Sequence, residues 1–194
     1  MWPWEHAAIG YLIYSLGRRA LGREPPGETD TAVLAVATHL PDLVDKPLSW
    51  GVGWFPSGYA VAHSVFVAVP FGVGALALGR HLDRQWLGIA FVVGYWSHLL
   101  GDALNPLRTG GRAGIERVLW PFVEVAPYDV DYGIGRGIVY LREFVAAIAA
   151  MDPLDMLLLY VLLPATTLAV WALDGAPGST IPTRIGSAVR ERLT

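Results

Sequence analysis

Four of the five histidines in this chain stand inside or at the edge of apolar segments, three of them near a carboxylate. They occur as Glu5-His6, as His39 followed by Asp42 and Asp45, as His63-Ser64, and as Ser97-His98 followed by Asp102. His98 and Asp102 are four residues apart, so a helix would carry both on one face, about one turn apart. His39, Asp42 and Asp45 follow at three-residue steps, with Pro41 a candidate break in that helix. Imidazole and carboxylate without thiolate suit Zn²⁺, Mn²⁺ or Fe²⁺. The absence of cysteine excludes a disulfide scaffold and a Cys-based zinc knuckle. His81 sits in the charged turn GRHLDR and reads as a surface residue.

The seven candidates (His6, His39, Asp42, Asp45, His63, His98 and Asp102) exceed the needs of one tetrahedral ion. A site for two ions is therefore open, one generating hydroxide and both holding the oxygens of a displacement. Thr38, Ser64 and Ser97 adjoin histidines and could orient them. Equally, their hydroxyls could bond back to helix carbonyls. No G-x-S-x-G motif is present, and the glycine-rich stretches lack a phosphate-loop lysine.

The elements that must position these residues are marked by missing charge. The chain has 194 residues, 54% of them apolar and only 16% charged, with a mean hydropathy of +0.43. A net charge of −3 offers no basic footprint for nucleic acid. Between Lys46 and Arg80 lie 33 residues without a charge; 17 separate Arg84 from Asp102, and 18 separate Asp155 from Asp174. Within these gaps, Tyr59–Gly79 is long enough to cross a bilayer as a helix, while Gln85–Gly101 and Met156–Leu173 are near the lower limit. Trp4–Leu16 and Thr31–Leu43 read as shorter helices packed against them, and Ile138–Ala150 as a further helix. Trp2, Trp4, Trp50, Trp54, Trp96 and Trp120 suit interfacial positions, although Trp96 could equally be core. The opening MWPWEHAA lacks a basic region, so the first helix is expected to be kept rather than cleaved.

The expected fold is all-α: a multi-pass helical membrane protein, a small bundle with a metal-site cluster at one end. Residues 1–174 form its membrane-embedded domain and 175–194 a polar tail. If consecutive helices alternate in direction, His6, His39, Asp42, Asp45, His63, His98 and Asp102 all fall at the same end. His81 falls at the other. Buried charge near apolar helix ends demands a partner or a metal.

These motifs resemble a known family: small multi-pass proteins described as membrane-bound metal-dependent hydrolases, the DUF457 or YdjM-like group. The resemblance rests on His6, Thr38-His39-x-Pro41-Asp42-x-x-Asp45, His63-Ser64, Ser97-His98-x-x-x-Asp102, and Pro106 through Leu119-Trp120-Pro121-Phe122. It covers about residues 1 to 122. It implies an inner or plasma-membrane location, hydrolase-like chemistry and a divalent metal. The family pattern often places an acidic pair and then His after Pro-Asp, whereas Asp42-Leu43-Val44-Asp45-Lys46 leaves open which aspartate ligates. The H-x-x-x-D pair is also similar to that of zinc-dependent phospholipase C-like helical enzymes, which would favour phosphoesters.

On this reading His6, His39, Asp42, His63, His98 and Asp102 hold one or two metals, with zinc favoured over manganese or iron. Metal-activated water attacks an ester or phosphoester, possible substrates including lipids, and Asp45 or Glu5 helps move the proton. Arg108 or Arg112 would meet an anionic substrate group, or simply face lipid headgroups. Two rival readings are a scaffold or interaction protein with a structural metal, and a small transporter. A transport path should continue polar groups through the bilayer, and beyond Thr166 and Thr167 the long segments offer almost none.

Overall fold

A computed structural model describes residues 1–181, and all regular structure among them is helical. Helix α1 (Pro3–Ala20) starts on a proline whose missing N–H needs no partner there, and Glu5 Oε2 accepts from the Trp2 amide at 2.9 Å. Helix α2 (Glu28–Lys46) runs on into a π-helical turn at Pro47–Gly51. Helices α3 (Val65–His81) and α4 (Gln85–Leu104) form a tight hairpin. Short 3₁₀ turns at Asn105–Thr109, Ile115–Val118 and Gly133–Gly135 lead to α5 (Arg136–Ala150). The last helix, α6 (Pro153–Leu173), contains a π-helical turn at Leu157–Val161.

Two sequence expectations are corrected. The apolar run Tyr59–Gly79 is not one span, because its first six residues are not helical and α3 has 17 residues. Those six are gripped by Asp45, as described below, and Ser64 Oγ then caps α3 by accepting from the Phe66 amide at 3.1 Å. Pro41 does not break α2, which continues through it to Lys46 and so keeps Asp42 and Asp45 on one helix.

Helix α4 is central and packs against α1, α2 and α3. The α2–α4 crossing is a contact of backbones. A Cβ on Gly94 would lie 2.8 Å from the Leu34 carbonyl oxygen and 2.9 Å from Ala37 Cβ. Such small-residue crossings are how helices associate where the surroundings are as apolar as the helices themselves. Polar ties hold α6 at both ends. Asp174 accepts from Tyr11 Oη at 2.7 Å and Ser15 Oγ at 2.5 Å and pairs with Arg19. Near the other end, Arg108 donates to the Leu159 carbonyl inside the π turn. On α5, buried Arg136 lies 3.5 Å from the Tyr128 ring centroid and fixes the preceding loop.

Among the described residues, two helices are long and apolar enough to cross a bilayer, 24 residues at Gln85–Arg108 and 21 at Pro153–Leu173, with α3 a shorter apolar helix. Large apolar side chains are exposed along the outer faces of α3 and α6, including Phe71, Val73, Leu158 and Leu168. The expected polar tail lies mostly outside the described residues.

Replacing Gly94 by alanine should push α2 off α4 at about 1–3 kcal/mol. The expected result is a Tm several degrees lower in detergent, together with loss of bound metal. An unchanged Tm would show that the crossing is slack.

Candidate metal centre

Four ligand atoms from three elements converge at one end of the bundle: Asp42 Oδ1, His63 Nε2, His98 Nε2 and Asp102 Oδ2. His63 Nε2 lies 3.5 Å from Asp42 Oδ1 and 3.5 Å from Asp102 Oδ2. His98 Nε2 lies 3.1 Å from His63 Nε2, 3.7 Å from Asp42 Oδ1 and 3.5 Å from Asp102 Oδ2. Ligands at 2.0–2.1 Å around a tetrahedral ion sit about 3.3 Å apart. These five separations are thus close to those of a metal's ligand shell, and all four atoms lie within 4.8 Å of one another.

The ring orientations explain why. His98 Nδ1 donates to the Thr38 carbonyl at 2.7 Å, and His63 Nδ1 donates to Asp45 Oδ2 at 2.8 Å. Each neutral ring is thus left with a bare Nε2, and the two lone pairs face each other at 3.1 Å. That arrangement is repulsive unless a cation or a proton lies between them. Asp42 Oδ1, also facing the cluster, is buried and has no hydrogen-bond partner. These donors fit a divalent ion.

Asp45 is fully buried and accepts from the backbone amides of Ala60 at 2.9 Å, Ala62 at 3.0 Å and His63 at 3.0 Å, besides the His63 ring. It shapes the loop before α3 and sets the His63 ring within it. Burial alone would discharge that ring, but the carboxylates of Asp102, Asp42 and Asp45 around it outweigh this and raise the His63 pKa to about 10.

His6 lies on the other side of Asp102. Its ring stacks on His98 with centroids 3.8 Å apart, and its Nε2 is 3.2 Å from Asp102 Oδ1. It is 1% exposed, yet neither ring nitrogen has a hydrogen-bond partner. The Met1 amino group is also 2.6 Å from Asp102 Oδ1. The two oxygens of Asp102 therefore face different groups.

The remaining candidates fall elsewhere. His39 is half-buried outside the four-atom cluster, with its Nδ1 donating to the Ala35 carbonyl one turn back at 2.7 Å. Glu5 accepts from Arg108 Nη1 at 2.7 Å, so these two are paired with each other. Arg112 is exposed. The Thr38 and Ser97 hydroxyls donate to their own helix, at Ala35 and Gly94; it is the Thr38 carbonyl that holds His98. Ser64 Oγ donates to the Trp120 carbonyl at 2.5 Å.

Three neighbours were not among the sequence candidates. Lys46 Nζ lies 2.5 Å from Asp42 Oδ2. Arg117 donates to the Asp102 carbonyl at 3.0 Å and lies 4.9 Å from the Tyr59 ring centroid, and that ring meets His63 edge-on at 5.0 Å. Only the Asp42–Lys46 spacing, one helical turn, could have pointed to any of them.

Bilayer-length helices and a buried, thiolate-free His/Asp cluster define a helical membrane protein with a candidate cation centre at one end of its bundle. The chain belongs to the YdjM inner membrane protein family, whose model matches residues 1–176. The family supports association with a lipid bilayer. No curated protein and no solved structure matches the chain significantly.

Metal must displace the proton held on His63, so metal affinity should rise with pH. Below the raised pKa of about 10, one released proton corresponds to about a tenfold gain per pH unit. Titration with Zn²⁺ between pH 6 and 9 measures this, and a flat profile would remove His63 from the ligand set. Asp45→Asn, which loses the carboxylate behind the ring, should weaken metal binding about 10–100-fold.

Proposed function

We propose that the protein is a metal-dependent hydrolase working at the membrane surface on an ester or phosphoester. The observation that carries this reading is Asp102, which turns Oδ2 to the four-atom cluster and Oδ1 to buried His6 and the Met1 amino group. A carboxylate with imidazole nitrogens on both sides is a group that two neighbouring ions would share. On this reading Asp42, His63, His98 and Asp102 would hold one divalent ion, and His6 with Asp102 would help to hold a second. Zinc is the favoured metal. When bound, such ions bring water toward ionisation near neutral pH and polarise the oxygen of a scissile group.

The chain's own residues do the rest. Asp45 is a positioning residue that keeps His63 Nε2 aimed at the cluster, as Thr38 does for His98 through its carbonyl. Glu5, paired with Arg108, holds the first turn of α1 and so keeps His6 beside Asp102. Lys46 sets the free oxygen of Asp42 by binding the other. Arg112 is exposed just beyond the site and is the arginine available to an anionic substrate. In the reaction a water oxygen bonds to the acyl carbon or phosphorus. The ester bond to the leaving oxygen breaks, and that oxygen takes up the proton the water gives up. The setting is a multi-pass membrane domain over residues 1–174, with 175–194 as its tail.

A second reading has its own observation. Four protein donors close a tetrahedron by themselves, which is the form of a structural site. The protein would then be a scaffold with a metal-stapled end.

Metal content and hydrolysis of bis-p-nitrophenyl phosphate separate the two. The hydrolase reading expects about two metal equivalents in wild type, about one in His6→Ala and almost none in His98→Ala. Turnover should fall at least about a hundredfold in both variants. One equivalent, unaffected by His6→Ala and without turnover, supports the structural site instead.

A further inference from the structure

Apart from the cation cluster, the described residues contain a groove of about 560 Å³ between α1, α2 and α6. None of its lining residues is charged. Ala8 and Tyr11 form one wall, Leu34 and Ala35 a second, and Leu168 of α6 a third. Two features indicate what belongs there. Ala35 and Leu168 are exposed, and α6 is one of the two bilayer-length helices, so the groove opens toward hydrocarbon rather than water. Along α2 it runs from Thr31 to Thr38, about 10 Å at 1.5 Å per residue, where half of a bilayer's hydrocarbon core is about 15 Å.

The groove also points at the site. Thr38 closes one end, and its carbonyl holds the His98 ring at 2.7 Å. Asp42 lies one turn further along α2, about 6 Å, on the same stripe of the helix as Thr31, Leu34 and Thr38. A lipid whose chain lay in the groove, tail toward Thr31, would bring the polar linkage at the top of that chain level with Asp42.

We propose that this groove binds one acyl chain of a membrane lipid, and that the substrate of the cation centre is accordingly a lipid ester or phosphoester. The second half of the proposal rests on the hydrolytic reading; the binding of the chain does not. Phosphatidylglycerol supplies both linkages and serves as the probe. The ester or phosphoester bond of the seated lipid is the bond water breaks, while the chain in the groove sets which lipid is taken.

The test compares wild type with Ala35→Trp and Leu168→Trp, which fill the groove from exposed positions, and with Phe71→Trp, an exposed α3 control. Metal content and helicity of all four proteins confirm that they are folded. After reconstitution in phosphatidylglycerol vesicles and return to mild detergent, native mass spectrometry reads retained lipid. Hydrolysis is read with phosphatidylglycerol and with water-soluble bis-p-nitrophenyl phosphate. Wild type and Phe71→Trp should retain about one lipid per chain, and the groove variants should lose at least about tenfold in occupancy and in kcat/KM for the lipid. Turnover of the soluble substrate should stay within about twofold. Groove variants that retain and hydrolyse lipid like wild type, or a wild type that retains none, would overturn the proposal. If no protein hydrolyses either substrate, the hydrolytic reading fails with the substrate assignment, and retention alone decides whether the groove is a lipid site.

Discussion

The end of the bundle that carries the site depends on one buried carboxylate. Asp45 is inaccessible to water, and removing an ionised group from water is prohibitive unless its lone pairs are satisfied. Three amides of one loop, those of Ala60, Ala62 and His63, and one imidazole satisfy them. That single demand bends residues 59–64 away from helix, delays the start of α3 to Val65, and turns His63 so that its second nitrogen faces inward. Loop shape, helix length and ligand orientation thus share one cause.

The opposing ring is set by packing rather than by charge. Gly94 lets α4 lie against the backbone of α2, close enough for the Thr38 carbonyl to accept from His98. With both Nδ1 atoms committed, the two Nε2 atoms meet, and Asp42 and Asp102 bring negative charge to the same point. A cation is the group that relieves all of these at once. A proton on His63 would relieve them in part, so proton and metal compete for one position.

Away from this end the molecule is built for apolar surroundings. Its polar ties are few and directional. Asp174 joins the end of α6 to α1 there, whereas Arg108 joins the π turn of α6 to Glu5 beside the site. Between the two ties α6 makes only a partial seam with α1 and α2, and the lipid-facing groove is what that partial seam leaves. The same helix therefore belongs to the bilayer-facing surface and to the wall of a site.

Much of the architecture was written in local pattern. The charge-free gaps and apolar runs marked α3, α4 and α6, and the i,i+4 spacing of His98 and Asp102 put both on one helical face, because helix periodicity and hydropathy act over neighbouring residues. The gathering of Asp42, His63, His98 and Asp102 at one end followed from helices that reverse direction in turn. What local pattern could not decide was which of several similar residues face inward. His39 and Asp42 are equally attractive as ligands in sequence, yet one turns back to its own helix and the other faces the cluster. Asp45 reads as a free carboxylate until the loop that it grips is placed around it, and Arg117 and Tyr59 come beside the site only through chain reversals. A side chain's type is local, but its partners are set by which helix backbones approach and by which buried charges must be satisfied. Those are properties of the assembled fold alone.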